Sequence, residues 1–340
     1  MKKSLLALAV LASFAGAASA QSSVTVYGVL DAGVTREMGG AAGSVTKLAT
    51  GVQSGNRLGF KGTEDLGGGL KANFQIENGF DLDTGKTRQG DRLFGRQAFV
   101  GLSGAFGAVN LGRQYNPIFI SIDSIDPFGT GLPGRIDNLM VAGNYRTDNA
   151  VTYSTPTVSG FTANLMYGAG ENKTGRTLGL SADYNNGPLV LTIAYDKLNA
   201  FTSGVTTTGG SKALLVGGTY NFGPATAHAA YETDKNDVTG SNFRDYMLGV
   251  TVPVSAAGSV MASFVKKSDR TKNDMGSKQF GIGYTYSLSK RTNVYTSYAR
   301  ITNEANAVGT VGDASSGGDG STPALGKASS AVTVGIRHKF

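Results

Sequence analysis

The last ten residues of the chain alternate strictly. Val332, Val334, Ile336, His338 and Phe340 fall on one side of an extended segment, with Ala331, Thr333, Gly335, Arg337 and Lys339 on the other. Successive side chains of a strand point to opposite faces, so this end presents one apolar wall and one polar or basic wall. Most domains let their C-terminus fray into solvent. Here the final residue is a large aromatic in register with the apolar face, as expected of a strand whose outer face meets lipid and whose last residue sits at the boundary.

The other end agrees. Lys2 and Lys3 precede an apolar run over 5–14, followed by Gly16-Ala17-Ala18-Ser19-Ala20. This reads as a secretory signal peptide, residues 1–20, cleaved before Gln21. Its loss leaves 29 Lys and Arg against 24 Asp and Glu, a mature charge of 29 − 24 = +5. The 50 glycines with only 8 prolines, beside many Thr, Val and Tyr, indicate curved β structure rather than a flexible linker. An exported chain with no cysteine must close on its own hydrogen bonds. No apolar run after the signal is long enough for a membrane helix, whereas a barrel needs only every second residue apolar.

From Gln21 onward the pattern is short alternating segments. Leu189, Leu191, Ile193 and Tyr195 share a face, as do Tyr246, Leu248, Val250, Val252 and Val254, and Phe280, Ile282, Tyr284, Tyr286 and Leu288. The facing of 292–301 is ambiguous. Tight connections at 65–69, 105–107, 156–160, 185–187, 221–223, 254–258 and 287–290 alternate with long polar ones around 38–54, 83–91, 114–148, 170–175, 199–210, 235–242, 269–276 and 303–327. That alternation predicts one domain, 21–340, an all-β, 16-stranded antiparallel transmembrane β-barrel with short turns at one end and long loops at the other.

Two of the long loops differ in kind. The segment 114–148 is far beyond ordinary loop length and carries Ile118, Phe119, Ile120, Ile122, Ile125, Phe128, Leu132, Ile136, Leu139, Met140 and Val141. Such a loop must pack on something, and the barrel interior is the nearest surface. The segment 303–327, mostly Gly, Ser, Thr, Asp and Ala, reads as solvated.

Basic residues recur at positions read as lumen-facing. Outward Leu58 and Phe60 turn Arg57 and Lys61 inward, and an outward Phe99 would turn Arg96 inward. Arg113 ends the fifth strand and Arg146 follows Tyr145 just before the sixth, while the inward loop holds Asp123 and Asp126. Arg337 and Lys339 add to the same basic lining. Bare cations in a dry core are prohibitively costly, so these residues imply a water-filled lumen. Cations facing carboxylates would set a transverse field across it.

At this point a resemblance becomes specific. The opening Val24-Thr25-Val26-Tyr27-Gly28-Val29-Leu30-Asp31-Ala32-Gly33 is similar to the first strand of the general diffusion porins of Gram-negative outer membranes, closest to their β-proteobacterial group. Three further segments carry the same likeness, 57–62, 95–102 and 111–115, as does the ending Gly335-Ile336-Arg337-His338-Lys339-Phe340. The resemblance spans the mature chain. It implies a homotrimer, a constriction loop after the fifth strand, and passive diffusion of ions and small hydrophilic solutes. It carries the family's basic cluster onto Arg57, Arg96 and Arg146, with Lys61 and Arg113 nearby, and its acidic loop residues onto Asp123 and Asp126. Where enterobacterial members read Pro-Glu-Phe-Gly, this chain has Asp126-Pro127-Phe128-Gly129, and Val29 stands where some relatives have lysine. The family's assembly machinery reads the terminal aromatic, here Phe340, and its members sit among outer-membrane lipid and lipopolysaccharide.

Catalysis finds little support. His228 and His338 lie in strand patterns, and no Cys or His cluster has metal-ligand spacing, so neither metal nor cofactor is expected. The run 170–177 imitates a phosphate loop but has Arg176 where lysine belongs and precedes no helix. The scattered cations form no nucleic-acid-binding face. A weakly anion-preferring porin is the expectation; a substrate-specific channel, or a barrel acting mainly as an adhesin or structural antigen, remain the alternatives.

Overall fold

A computed structural model describes residues 23–41, 43–140, 145–312 and 322–340. The signal segment 1–20 and its cleavage site, Val141, and the stretch 313–321 lie outside the described residues.

The strands are β1 (Ser23–Gly40), β2 (Gly43–Thr50), β3 (Arg57–Gly67), β4 (Leu70–Gly79), β5 (Gln97–Gly104), β6 (Gly107–Tyr115), β7 (Arg146–Ser154), β8 (Phe161–Gly168), β9 (Thr177–Asn186) and β10 (Leu189–Leu198). They continue as β11 (Phe201–Ser203), β12 (Thr206–Thr208), β13 (Ser211–Asn221), β14 (Thr226–Asn236), β15 (Ser241–Pro253), β16 (Gly258–Asp269), β17 (Ser277–Ser287), β18 (Thr292–Asn303) and β19 (Ser329–Lys339). An α-helix, α1 (Pro117–Ile125), and a 3-10 turn, Ile136–Asn138, lie between β6 and β7. All but β11 and β12 belong to one 17-stranded antiparallel sheet, closed by β1 pairing with β19.

The barrel nonetheless has sixteen wall positions. The first part of β1 pairs with β3 (Ser23 opposite Thr63, Val29 opposite Arg57), and its later part pairs with β2 (Ala32 opposite Thr50). β2 and β3 therefore run end to end in one position, interrupted by residues 51–56. The expected barrel is the one observed. One connection needs correcting: 38–54 is not a long loop but a tight hairpin, the strand β2, and the start of that interruption. The connection 199–210 carries the small β11–β12 hairpin.

Alternation holds along the wall. The residues Asn293, Tyr295, Ser297, Ala299 and Ile301 of β18 are buried inward, which resolves the ambiguity of that strand. At the seam, Gly28 and Phe340 exchange backbone hydrogen bonds, each N···O distance 3.1 Å. The aromatic ring lies over Gly28, where a Cβ would come 2.2 Å from Cζ. Only glycine admits that closing contact.

The loop between β6 and β7 folds inward as expected. Asn116 caps α1 by accepting from the Ile118 N–H, and Pro117 occupies the first turn, where a missing N–H costs nothing. Ile118, Ile122 and Ile125, spaced i, i+4, i+7, form one buried stripe against Ala194, Ala213, Leu215 and Ala230 of the wall. The wall makes room with small residues: a Cβ on Gly217 would meet Ile125 at 2.4 Å. Full burial of such side chains contributes about 1.5–3 kcal/mol each. Further along, Phe128 and Leu132 pack with Ala49, Val52, Met261 and Tyr295. Leu139 and Met140 join Val265, Ile301 and Val311.

That last contact corrects a second expectation. Part of 303–327 is packed rather than solvated: Ala307 and Val311 are buried, the Val311 N–H donates to Ser329 Oγ at 3.1 Å, and Asn303 and Gly309 bond reciprocally.

Candidate functional site

The inward loop meets the interruption between β2 and β3. Asp31, fully buried on β1, accepts the N–H groups of Gln53 (2.9 Å) and Ser54 (2.7 Å) and the hydroxyl of Tyr295 (2.6 Å). Its own N–H donates to Asn56 Oδ1 at 2.6 Å. Residues 51–56 are thus pulled off the wall into the lumen, and Arg57 follows them. The loop then docks on this projection through the Leu132 N–H to the Val52 carbonyl, 2.7 Å.

Between these two projections lies a cavity of about 990 Å³, lined by Arg57, Arg88, Arg96, Arg135, Arg146 and Arg337 and by Asp123, Asp126 and Asp137. Three of its cations are paired: Arg96 with Glu77 (2.6 Å), Arg135 with Asp137 (3.2 Å), and Arg88 with Asp81. Three have no carboxylate within ion-pair distance among the described residues. Arg57 donates to Gly55 O (3.0 Å) and Ser54 Oγ (2.6 Å), and Arg337 to Asn293 Oδ1 (3.0 Å). Arg146 donates to the Arg96 carbonyl (2.8 Å) and to Tyr115 Oη, with its guanidinium 4.2 Å from the Tyr115 ring centre.

Tyr115 is the gathering point. Its hydroxyl accepts from Arg96 (2.5 Å) as well as Arg146, and its ring stacks on Phe119 of α1 at 5.2 Å. Glu77 supplies the counter-charge behind them and also accepts from Tyr27, 2.8 Å, to which Gln75 donates. The loop's position and the placement of two arginines are therefore tied to one aromatic side chain.

The two expected acidic residues differ. Asp123 is exposed to the cavity, accepts only the Thr130 hydroxyl, and has no cation within ion-pair distance among the described residues. Asp126 is buried within the loop and accepts the N–H groups of Phe128 (3.1 Å), Thr130 (2.9 Å) and Ile136 (3.1 Å). Burial pushes its carboxyl up to about 7 despite those donors. Asp137 is likewise pushed upward by burial, with Arg135 opposing.

Of the expected basic residues, Arg57, Arg96 and Arg146 come together at the cavity; Lys61 and Arg113 do not. Lys61 is inward but lies near Tyr27, 5.3 Å from its ring centre, in a separate cavity of about 300 Å³ shared with Phe99. Arg113 takes the outward parity of Leu111 and Ala98 and pairs with Asp148 at 2.5 Å, which also holds Arg92. Its assignment to the lumen is corrected. So is the reason given for Arg96. Phe99 faces inward opposite Gln75 while Val100 points out, and Arg96 reaches the lumen because it precedes β5 and bonds Glu77. His228 supports the loop, its Nδ1 lying 2.9 Å from the Ile125 carbonyl.

Sequence reasoning missed Glu77, Tyr115, Asp31, Arg88 and Arg135 as parts of this site. For Glu77 a signal existed: in Phe74-Gln75-Ile76-Glu77 the apolar residues alternate with polar ones that must face inward.

Comparison with known proteins places this geometry. The family described as Gram-negative porin matches residues 7–306. An outer membrane porin of Bordetella pertussis is 36% identical over 404 aligned residues, covering all of both chains. Outer membrane porin protein 32 of Delftia acidovorans is 36% identical over 364, again covering both. The solved anion-selective porin from Comamonas acidovorans superposes with a TM-score of 0.82 at 32% identity, over 94% of this chain and 100% of that one. The chain belongs to the Gram-negative porin family and is an outer-membrane β-barrel that forms a water-filled channel for passive diffusion.

Proposed function

We propose that the channel passes small hydrophilic solutes with a weak preference for anions. One observation carries this reading: three guanidiniums without carboxylate partners among the described residues, on Arg57, Arg146 and Arg337, line the same cavity as Asp123, an exposed carboxylate with no ion-pair partner among them. Charges that are already ion-paired at short range contribute little field beyond their pair, so the unpaired ones decide the sign. The partly basic mature chain, +5 from 29 − 24 after removal of residues 1–20, acts in the same direction.

In this reading the inward loop sets the size limit and the arginines set the charge preference. The finer assembly follows the family resemblance: a homotrimer among outer-membrane lipids, with Phe340 as the residue read by the barrel assembly machinery. Swelling of proteoliposomes in neutral sugars of increasing size tests the diffusion limit, and electrophoresis before and after boiling tests the trimer. Swelling that discriminates among sugars of one size would favour a substrate-specific channel instead.

A further inference from the structure

Helix α1 turns one face to the wall and the other to the constriction. Ile118, Ile122 and Ile125 are buried against the wall, while Phe119, Ile120 and Asp123 line the cavity. Those three are neighbours on one helix face, since residues three and four apart stand side by side. Ile120 is 55% exposed. Single exposed apolar residues are ordinary on an outer surface. This one faces the constriction that solutes must cross, on a helix that Lys, Gln or Glu would favour more.

The face is fixed in place. Phe119 packs against two tyrosines, its ring centre 5.2 Å from that of Tyr115 and 4.8 Å from that of Tyr145. On the wall side, Asn116 at the helix start donates to buried Asp196, and the Thr192 hydroxyl donates to Ser121 Oγ at 2.8 Å. Half-buried Phe80 and Pro127 extend the apolar lining. The same cavity holds Arg57, Arg146 and Arg337, which have no carboxylate partner among the described residues. A solute held there meets guanidinium nitrogen and apolar carbon together. Chloride or a sugar uses none of the apolar surface, and a dicarboxylate brings its second charge towards Asp123.

Building on the anion preference proposed above, we infer that the constriction is a subsite for small monocarboxylates with an apolar body, aryl or branched alkyl, such as benzoate. Arg57 and Arg146 take the carboxylate, and the body lies on Ile120 and Phe119. Asp123, on the same helix face, disfavours a second carboxylate. The cavity, about 990 Å³, is within the range of small-molecule sites. Its apolar contact is one-sided, so the solute is held weakly and leaves again, as conduction requires.

The test uses the full mature chain in planar bilayers in potassium chloride at pH 8, with benzoate, acetate, succinate or benzamide added. Benzoate should lower the chloride current in a saturable way. Acetate lacks the body, succinate adds a carboxylate in its place, and benzamide lacks the charge. Each should need at least about threefold more solute for half the effect, the scale for losing partial apolar contact or one screened charge. Ile120→Ser should raise the benzoate midpoint at least about threefold, and Ile120→Leu should restore it. Val205→Ser, fully exposed between β11 and β12, should leave it unchanged. Equal midpoints for benzoate and any of the other three solutes, or for benzoate in Ile120→Ser and the unaltered channel, would overturn the inference. If Ile120→Ser yields no channels, the four solutes on the unaltered channel decide it alone. The zero-current potential is read in the same bilayers. A potassium preference there counts against the anion reading, whereas a chloride-preferring channel indifferent to Ile120→Ser counts against this subsite alone.

Discussion

Arg96 and Glu77 form a buried ion pair in the barrel wall, Nε to Oε1 at 2.6 Å, with side chains 8% and 2% exposed. The most deeply placed arginine of the lumen is thus neutralised in place, and its charge reaches the pore only as part of a dipole. Charge preference then depends on which groups lack such a partner.

Removing either member exposes the other. Glu77→Gln should raise the anion-to-cation permeability ratio about twofold to fivefold, the effect of one screened charge at pore distances. Arg96→Ala should lower it by a similar factor by leaving Glu77 bare. The double variant Arg96→Gln with Glu77→Gln should return near the starting ratio, because the two opposite charges are removed together. Each single change should also weaken the barrel by about 3–5 kcal/mol, the cost of an uncompensated buried charge, read as a lower temperature of heat-induced mobility shift.

Arg57 and Arg146 have no carboxylate partner among the described residues, whereas Arg113 pairs with Asp148 on the outward side. Arg57→Ala and Arg146→Ala should each lower the permeability ratio about twofold to fivefold. Arg113→Ala and Lys61→Ala should leave it within experimental scatter. Reversal potentials of the four variants in one salt gradient check the ordering, and an effect of Arg113→Ala equal to that of Arg146→Ala would contradict it.

Asp126 ties selectivity to pH. Its carboxyl is raised from 3.8 to about 7, so the docked loop binds a proton that a released loop would not between those values. The docked loop is favoured fully below the ordinary carboxylate range, and that contribution is lost as pH rises through about 7. Acidification from pH 8 to 6 should therefore remove negative charge from the lumen, raise the anion preference, and quieten loop-dependent current noise. In Asp126→Asn the step attributable to this group should disappear.

Gly28 and Phe340 close the seam. Gly28→Val would drive its side chain into the terminal ring, at about 1–3 kcal/mol for overpacking. The yield of heat-modifiable barrel should fall, while channels that do form keep their selectivity. Deleting Phe340 should do the same.

Most of the fold is legible because lipid outside and water inside impose a period of two, and β15, β17 and β19 display it cleanly. Strand β2 escaped notice because Gly43-Ser44-Val45-Thr46-Lys47 is polar and glycine-led, and its partner's register becomes visible only when the barrel closes. The interruption at 51–56 depends on Asp31 and Tyr295, residues distant in sequence whose bonds leave no local pattern. Phe99 and Val100 are adjacent large apolar residues, so parity at that site has two readings, and closure selects Val100 outward. Arg113 was readable: plain alternation from Leu111 turns it outward. The basic cluster was visible as residues, but the neutralisation of Arg96 was not, because Glu77 reaches it through a tertiary contact between β4 and the segment entering β5.

The central claim is that Arg57, Arg146 and Arg337, which have no carboxylate partner among the described residues, outweigh Asp123 and the ionised Asp126 in the lumen. The most direct measurement is the zero-current potential of the purified channel in a planar bilayer under a potassium chloride gradient at pH 8. The account predicts the sign of a chloride-preferring pore, moving toward zero in the double variant Arg57→Ala with Arg146→Ala. A potassium-preferring potential from the unaltered channel would contradict it.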